Sequence, residues 1–186
     1  VTANSTATFF GTVTGSGTFS GAGTKHFAGG YSPGNSPGRA TLEGVVVFDG
    51  GTVLMELAGL AAGSQHDQLV FNDASVLLGS GVALSVALLG GYSPVLGDRF
   101  NLFDWNGSLN AASGLFGDLR LPGLAEGLAW DVSRLYLDGD IRVTAVPEPQ
   151  TWALMALGLM GLRGLALRRR GKTATQAQPD TVRTRH

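Results

Sequence analysis

The stretch Val82-Ala83-Leu84-Ser85-Val86-Ala87-Leu88 decides the fold class, because bulky and small side chains alternate strictly along it. Successive side chains of a β-strand point to opposite faces, so an alternation of period two predicts a strand with one apolar face. Val53, Met55 and Leu57 show the same spacing of two. We expect Val82, Leu84, Val86 and Leu88 to face inward.

Similar short apolar runs continue on both sides of this stretch and predict further strands. They lie near residues 44–48, 68–72, 75–78 and 99–104, with a last pair near 135–137 and 141–145 around the turn signal Asp138-Gly139-Asp140. Glycine, at 29 of 186 residues, falls between the runs. Many short strands joined by glycine turns predict an all-β chain, arranged as a sandwich, a barrel or a β-solenoid.

Two copies of one glycine-rich segment favour the β-solenoid. Gly29-Gly30-Tyr31-Ser32-Pro33 recurs as Gly90-Gly91-Tyr92-Ser93-Pro94, and each copy introduces a turn before an apolar segment. Repeated segments are typical of stacked coils, in which each repeat buries the face of its neighbour. The alternative is a β-sandwich that contains two similar turns.

Part of this body also resembles a known family. The segments that carry the resemblance are 67–71, 76–79, 82–86, 97–100, 114–116, 121–122, 135–137 and 141–143. Together they resemble the end of the passenger region in autotransporter-like β-helix proteins. The resemblance implies a right-handed parallel β-helix over residues 29–145, preceded by a Ser/Thr/Gly-rich strand segment at 1–28. It brings no catalytic residue with it.

The end of the chain has a different composition. Val146-Pro147-Glu148-Pro149 precedes an apolar run from Trp152 to Leu167, and Arg168–Arg170 follow. Prolines hold the backbone extended and lack N–H donors. The apolar run can enter a bilayer, and the arginine cluster anchors its end on the cytoplasmic side. We predict a transmembrane helix within residues 146–170 and a basic disordered tail at 171–186.

This three-part order resembles the PEP-CTERM sorting signal of Gram-negative bacteria. The resemblance implies that Val146, Pro147, Glu148 and Pro149 form the sorting motif, which an exosortase-type membrane protease recognises. It implies that Arg168, Arg169 and Arg170 stop transfer across the inner membrane. It also implies that the body first lies on the periplasmic side and then reaches the cell surface or the extracellular space.

The apolar run is short for a membrane helix, which leaves alternatives open. Its sixteen residues span about 24 Å of helix, less than the roughly 30 Å of a hydrocarbon core, and Arg163 interrupts it. The alternatives are a core or amphipathic helix with a basic tail, or a stable anchor that is never cleaved. Gly158, Gly161 and Gly164 weaken the helix in water, which disfavours the first alternative.

Charge and cysteine content exclude several function classes. Residues 1–150 carry six Lys/Arg and thirteen Asp/Glu, a net of −7, whereas residues 151–186 carry a net of +6. An acidic body argues against nucleic-acid binding. The chain has no cysteine, which excludes disulfides, thiolate nucleophiles and cysteine metal ligands. Val1 to Thr8 lacks the features of an export signal, so we expect that a signal has been removed or that the chain is a fragment.

Three polar groupings are candidates for chemistry. Gly30-Tyr31-Ser32-Pro33-Gly34 matches a nucleophile elbow, but Pro33 lacks the N–H that an oxyanion needs. His66 and Asp67 would be a general-base pair or half of a metal site only within a turn, since neighbours on a strand face opposite ways. We expect Asp67 to stabilise a turn and His66 to be exposed. Asp138 and Asp140 are expected to stabilise a turn rather than to act as acid and base.

The sequence therefore predicts an exported, non-catalytic surface or extracellular-matrix protein without a cofactor or a metal. We expect Trp105, Trp130 and Tyr136 to fill the core or cap the coils rather than to stack on sugar rings. The expected partners are an exosortase-type protease, the inner membrane and an exopolysaccharide, and not nucleic acid. The alternative is a β-helix carbohydrate-active enzyme or carbohydrate-binding module.

Overall fold

Strands, turns and loops make up all of the chain that the structure describes. The computed structural model describes residues 1–34, 37–108 and 112–146. This part of the chain contains strands and no helix, so the all-β prediction is confirmed for it. No helix there is long and apolar enough to cross a membrane. The predicted transmembrane helix and the predicted tail at 171–186 lie outside the described residues.

The strands are short and closely spaced, as the apolar runs between glycines predict. In chain order they are β1 (Thr6–Phe9), β2 (Val13–Thr14), β3 (Gly17–Phe19), β4 (Thr24–Phe27), β5 (Gly30–Ser32), β6 (Arg39–Phe48), β7 (Thr52–Leu57), β8 (Gln68–Leu78), β9 (Ala83–Leu88), β10 (Arg99–Asn101), β11 (Phe103–Ser108), β12 (Ser113–Gly114), β13 (Asp118–Arg120), β14 (Leu128–Asp131) and β15 (Asp140–Ala145). All of them belong to one compact unit, residues 1–146.

Two parallel sheets make up most of this unit. The first contains β1, β4, β6, β8 and β11 in that order, with β3 beside β6 and β12 beside β8. The second contains β13, β9, β7, β5 and β2 in that order. Consecutive strands from β4 to β9 alternate between the two sheets, and neighbours within each sheet run parallel. Each pass of the chain through both sheets therefore stacks on the preceding pass.

The length of a pass grows along the chain. In the first sheet Thr6 pairs with Thr24, Thr24 with Val45 and Val45 with Ser75, so the steps are 18, 21 and 30 residues. Strand pairing fixes only the residues inside the strands, and surface connections can lengthen at little thermodynamic cost. The stacked passes therefore leave no fixed period in the sequence.

The two glycine-rich copies are not equivalent, so their prediction as matching turns is wrong. Gly30–Ser32 forms β5, whereas Gly90 and Gly91 form a turn that precedes an extended loop. A Cβ on Gly30 would lie 2.3 Å from the backbone oxygen of Thr52, whereas one on Gly90 would meet nothing within 4 Å. Glycine is thus needed in the first copy for close strand approach and in the second for an open turn.

Both long strands bend at a residue with a left-handed backbone. Gly44 has φ 72° within β6, and Asp73 has φ 47° within β8. The first half of β6 pairs with β3, its second half pairs with β4, and its register with β8 shifts next to Gly44. A bulge of this kind bends the strand and increases its twist. The strands predicted at 68–72 and 75–78 are accordingly the two halves of β8.

The alternating stretches point their bulky side chains into the core, as predicted for residues 82–88. The bulky residues of these stretches that are buried are Val53, Met55, Leu57, Val82, Leu84 and Val86. Leu88, at the end of β9, is half-buried and packs against the same core. Burying each such side chain contributes about 1.5–3 kcal/mol, so period-two patterning supplies much of the driving force for stacking.

Similar side chains stack on one another where the passes align. Phe9, Phe27 and Phe48 occupy matching positions in β1, β4 and β6. The ring centroids of Phe9 and Phe27 are 5.2 Å apart and those of Phe27 and Phe48 are 5.0 Å apart, both in stacked orientation. Leu78 occupies the next matching position in β8. These four side chains form one apolar ladder. The ladder joins four passes through one column of apolar contacts.

A third, antiparallel sheet contains β10, β15 and β14 in that order. The predicted strand near 141–145 is β15, but the predicted strand at 135–137 is wrong. Those residues form a turn in which the N–H groups of Leu137 and Asp138 donate to the Arg134 carbonyl at 3.1 and 2.9 Å. Leu135 is fully buried and Leu137 is 64% exposed. Side chains two residues apart share a face only in a strand. The spacing of Leu135 and Leu137 in a turn therefore does not predict that both are buried.

Candidate functional site

The segment predicted to direct sorting begins where the third sheet ends. β15 is the central strand of that sheet and pairs with β14 as far as Ala145, which lies opposite Leu128. The N–H of Val146 then donates to the carbonyl of Gly127 at 2.8 Å. Val146 is 46% exposed. The other predicted site residues lie outside the described part of the chain: Pro147, Glu148, Pro149, Arg168, Arg169 and Arg170.

A buried carboxylate fixes the start of β15. Asp140 is fully buried and accepts hydrogen bonds from Arg99 Nε at 2.5 Å and from Asn101 Nδ2 at 3.0 Å. Arg142 lies 3.4 Å from the same carboxylate. Arg99 and Arg142 face each other across β10 and β15, where like charges would repel. Asp140 lies between them and removes that repulsion, which holds the strand that leads into Val146.

The neighbouring Asp138 has a different partner. Its carboxylate accepts a hydrogen bond from Arg134 Nε at 2.7 Å. The two aspartates that were candidates for an acid and base are thus each bound to arginine, Asp140 in the sheet and Asp138 in the preceding turn. Within residues 1–34, 37–108 and 112–146, no group of three or more histidines, aspartates or glutamates is placed to hold a metal ion.

His66 is buried, so the prediction of an exposed His66 is wrong. Its side chain is 1% exposed, its Nδ1 lies 3.1 Å from the Gly59 carbonyl, and its ring meets Phe100 edge-on at 5.5 Å. Burial lowers the pKa of His66 below its ordinary value, against the opposing effect of the Gly59 carbonyl. A low pKa favours the neutral ring, which is the form that packs best in an apolar setting.

The prediction that Asp67 stabilises a turn is wrong, because its side chain joins segments that are distant in the sequence. Its Oδ1 accepts the N–H of Gly38 at 2.6 Å, and its Oδ2 accepts the N–H of Glu56 at 2.9 Å. Burial raises the pKa of this carboxyl to about 6, although the two donated N–H groups lower it. The carboxyl therefore links the start of β6, the end of β7 and the start of β8.

The raised pKa predicts a pH-dependent stability that Asp67 controls. An unfolded aspartate titrates near 3.9, and Asp67 in the folded chain titrates at about 6. The folded state binds more protons between these values, so this group's contribution to stability falls as pH rises from about 4 to about 6 and is constant above that. Asp67→Asn should remove this dependence, so its free energy of unfolding relative to the parent should rise by roughly 1–2 kcal/mol across that range.

Urea unfolding of both chains at pH 4 to 7 measures this change. Asp73→Asn is the matched control, because Asp73 is exposed and asparagine tolerates the same left-handed backbone. A pH profile for Asp67→Asn that runs parallel to that of the parent would contradict the prediction.

Lys25 is a buried cation for which the sequence gives only one signal, its place in an alternating strand. It lies two residues before the buried Phe27 in β4, so both side chains point inward. Its Nζ donates to the carbonyls of Glu43, at 2.6 Å, and of Gly21. Burial lowers the pKa of Lys25, and the nearby Glu43 opposes this. The ammonium group thereby binds carbonyls of two passes next to the bend at Gly44.

The segment that matches a nucleophile elbow lies within the second sheet. Ser32 is half-buried in β5 and pairs with Thr14 of β2. Tyr31 is fully buried, and its hydroxyl donates to the carbonyl of Gly15 at 2.8 Å. A nucleophile elbow instead presents its serine on a sharp turn after a strand. The geometry of Gly30–Ser32 is that of an ordinary strand.

Trp105, Trp130 and Tyr136 pack against the core, as predicted. Trp105 Nε1 donates to the carbonyl of Leu135 at 3.2 Å, and Trp130 Nε1 donates to the carbonyl of Pro122 at 2.8 Å. Both indole N–H groups are therefore used inside the protein. These aromatic side chains hold the 121–136 region against the last passes.

Comparison with known proteins identifies one motif, at the end of the chain. The PEP-CTERM protein-sorting motif family matches residues 145–170. No curated protein and no solved structure matches the chain. The match begins at Ala145, the last residue of β15, so the motif starts inside the third sheet. The chain carries a PEP-CTERM sorting motif, which implies export, membrane-associated sorting and processing by an exosortase, a membrane protein.

Proposed function

We propose that this chain is an exported, non-catalytic surface or extracellular-matrix protein that an exosortase-type protease sorts through residues 146–170. The observation that carries the proposal is the sorting motif at 145–170, which follows the last core strand without a spacer. Pro147, Glu148 and Pro149 are recognised on the periplasmic side. Arg168–Arg170 stay in the cytoplasm, because arginine clusters stop translocation.

The body is a parallel β-helix in this proposal. Alternation of consecutive strands between two parallel sheets supports a helix of stacked coils over a β-sandwich, whose sheets are typically antiparallel. Stacked coils have a further advantage for an exported chain without cysteine. They bury long apolar columns and pair each strand on both sides, so burial and backbone hydrogen bonds replace disulfides.

A non-catalytic role agrees with how the candidate groups are used. Asp138 and Asp140 bind arginines, Asp67 accepts two backbone N–H groups, and Ser32 lies within a strand. Catalytic acids and bases need access to a substrate, and Asp67 and Asp140 are both fully buried. The polar groups of the body therefore act in holding its passes together. In this proposal the body associates with exopolysaccharide at the cell surface.

Changing both prolines of the motif tests the sorting proposal. In a cell that contains the cognate protease, we expect Pro147→Ala/Pro149→Ala to abolish processing, because alanine would let the helix predicted for the apolar run extend into the segment that a protease cleft needs extended. Mass spectrometry of the released protein measures the product.

Pro122→Ala is the control, since Pro122 lies in the body and outside the motif. The parent and the control should both lose the tail. A released parent protein that still ends at His186 would refute the proposal.

A further inference from the structure

We propose that the turn Val95–Asp98 contacts the lipid bilayer while the apolar tail is inserted. This inference rests on the proposed function, because it requires residues 152–167 to enter the membrane. It assigns to the body a lipid-facing surface, formed by the side chains of Val95, Leu96 and Val146. The name tail-side surface is used for these three residues below.

The tail-side surface is apolar and exposed. Val95 is 60% exposed, Leu96 is 61% exposed and Val146 is 46% exposed. Single exposed apolar residues are common on proteins. Two adjacent large apolar side chains at the tip of a turn would bury apolar area if the turn entered the headgroup and acyl boundary of a bilayer, and such burial is favourable.

The turn is held in place, so its two apolar side chains stay exposed. The carboxylate of Asp98 accepts the N–H of Val95 at 2.9 Å and the hydroxyl of Tyr92 at 2.9 Å. The N–H of Asp98 donates to the carbonyl of Val95 at 3.1 Å. These bonds satisfy the N–H groups of Val95 and Asp98, which reduces the cost of bringing them into an interface with little water.

The turn lies beside the end of β15. The N–H of Gly97 donates to the carbonyl of Val143 at 3.0 Å, and the N–H of Val143 donates to the carbonyl of Asp98 at 2.9 Å. The antiparallel pairing of β10 with β15 thus continues toward the sorting motif. Val95 and Leu96 are therefore adjacent to the point where the chain leaves the body.

The tether to the membrane is short. Residues 147–151 separate Val146 from the apolar run that begins at Trp152. Five extended residues span at most about 18 Å. Once the apolar run is inserted, Val146 therefore stays within about that distance of the bilayer. The short tether thus raises the effective concentration of the bilayer near this surface above that of any apolar partner free in solution.

Phe10 supplies the comparison at the other end of the stack. It is 84% exposed and directly follows β1, the strand at one edge of the first sheet. The strand at the opposite edge of that sheet is β11. Strands lie about 4.8 Å apart, so four steps place these ends roughly 19 Å apart. Phe10 is more exposed than Leu96 but lies at the opposite edge of the first sheet from β11, so exposure and location can be separated.

The chain has no cysteine, so one introduced cysteine carries one probe. The full chain with Leu96→Cys, and separately with Phe10→Cys, is labelled with an environment-sensitive fluorophore. Each is reconstituted into vesicles of phosphatidylethanolamine and phosphatidylglycerol, with and without brominated acyl chains. Flotation of the vesicles measures tail insertion independently.

We expect the chain to float with the vesicles, and the probe at residue 96 to shift to shorter wavelength and to be quenched by brominated lipid. The probe at residue 10 should stay unshifted and unquenched. If the chain floats but the probe at residue 96 remains aqueous, the lipid contact is refuted and the sorting proposal stands. If the chain does not float, both fail together. A shift that depends on protein concentration and resists brominated lipid would assign the surface to a second copy and overturn the lipid contact.

Discussion

Replacing Phe48 by alanine is expected to lower the free energy of unfolding by about 3–5 kcal/mol, the usual range for a buried phenylalanine. Phe48 is 1% exposed and stacks on Phe27 at 5.0 Å. Leu78 pairs with it on the other side. Alanine would leave a cavity between two passes, and the paired backbones on either side prevent the ladder from collapsing into it. A domain is typically stable by only 5–15 kcal/mol, so this loss is a large fraction of the total.

Urea unfolding, followed by far-ultraviolet circular dichroism, measures the loss. Phe10→Ala is the matched control, because Phe10 is the same residue type but 84% exposed, and surface changes are usually within about 0.5 kcal/mol. Equal destabilisation by the two substitutions would show that the ladder does not hold the passes together.

Replacing Gly139 by alanine is expected to cost more than about 3 kcal/mol, because two effects combine there. A Cβ at this position would lie 1.6 Å from the carbonyl oxygen of Phe103, and the backbone is left-handed with φ 78°. The left-handed backbone alone costs a non-glycine residue about 1–2 kcal/mol. The contact with a backbone atom has no flexible end that can move aside. The turn before β15 would therefore separate from β11.

Gly90→Ala separates the two effects. Gly90 is also left-handed, with φ 58°, but a Cβ there meets nothing within 4 Å. We expect it to lose only the roughly 1–2 kcal/mol of backbone strain. Hydrogen exchange localises the difference, since the N–H groups of Leu102 and Phe103 donate to the Gly139 carbonyl at 2.9 and 3.2 Å. Unchanged protection of these two amides in Gly139→Ala would contradict the prediction.

The Gly139 result bears on sorting as well as on stability. Gly139 leads into Asp140 and β15, whose last residue begins the sorting motif. A body that holds β15 firmly presents the motif from a fixed strand end. Loosening the turn would expose more chain on the body side of Val146. We therefore expect Gly139→Ala to alter processing as well as stability.

The sorting motif was predictable from the sequence, because it depends on the order of residues along the chain and not on the fold. The order of Pro147-Glu148-Pro149, the apolar run and Arg168–Arg170 is legible without a fold, and the sorting motif at 145–170 agrees with it. The buried polar residues were not predictable in this way. His66 looks like a surface histidine in its polar sequence context, and it is buried because a loop folds back so that its ring packs on Phe100.

The sequence by itself determined the all-β class and the inward faces, because period-two patterning acts within single strands such as Thr52–Leu57. It also determined the sorting motif, whose recognition depends on residue order. The tertiary structure alone decided which strands pair, and with that the burial of Asp67 and the choice of β14 over 135–137 as a partner of β15. These outcomes depend on contacts between segments separated by loops of varying length. Local sequence does not predict such contacts, because the burial and strand pairing that stabilise them form only when whole passes stack.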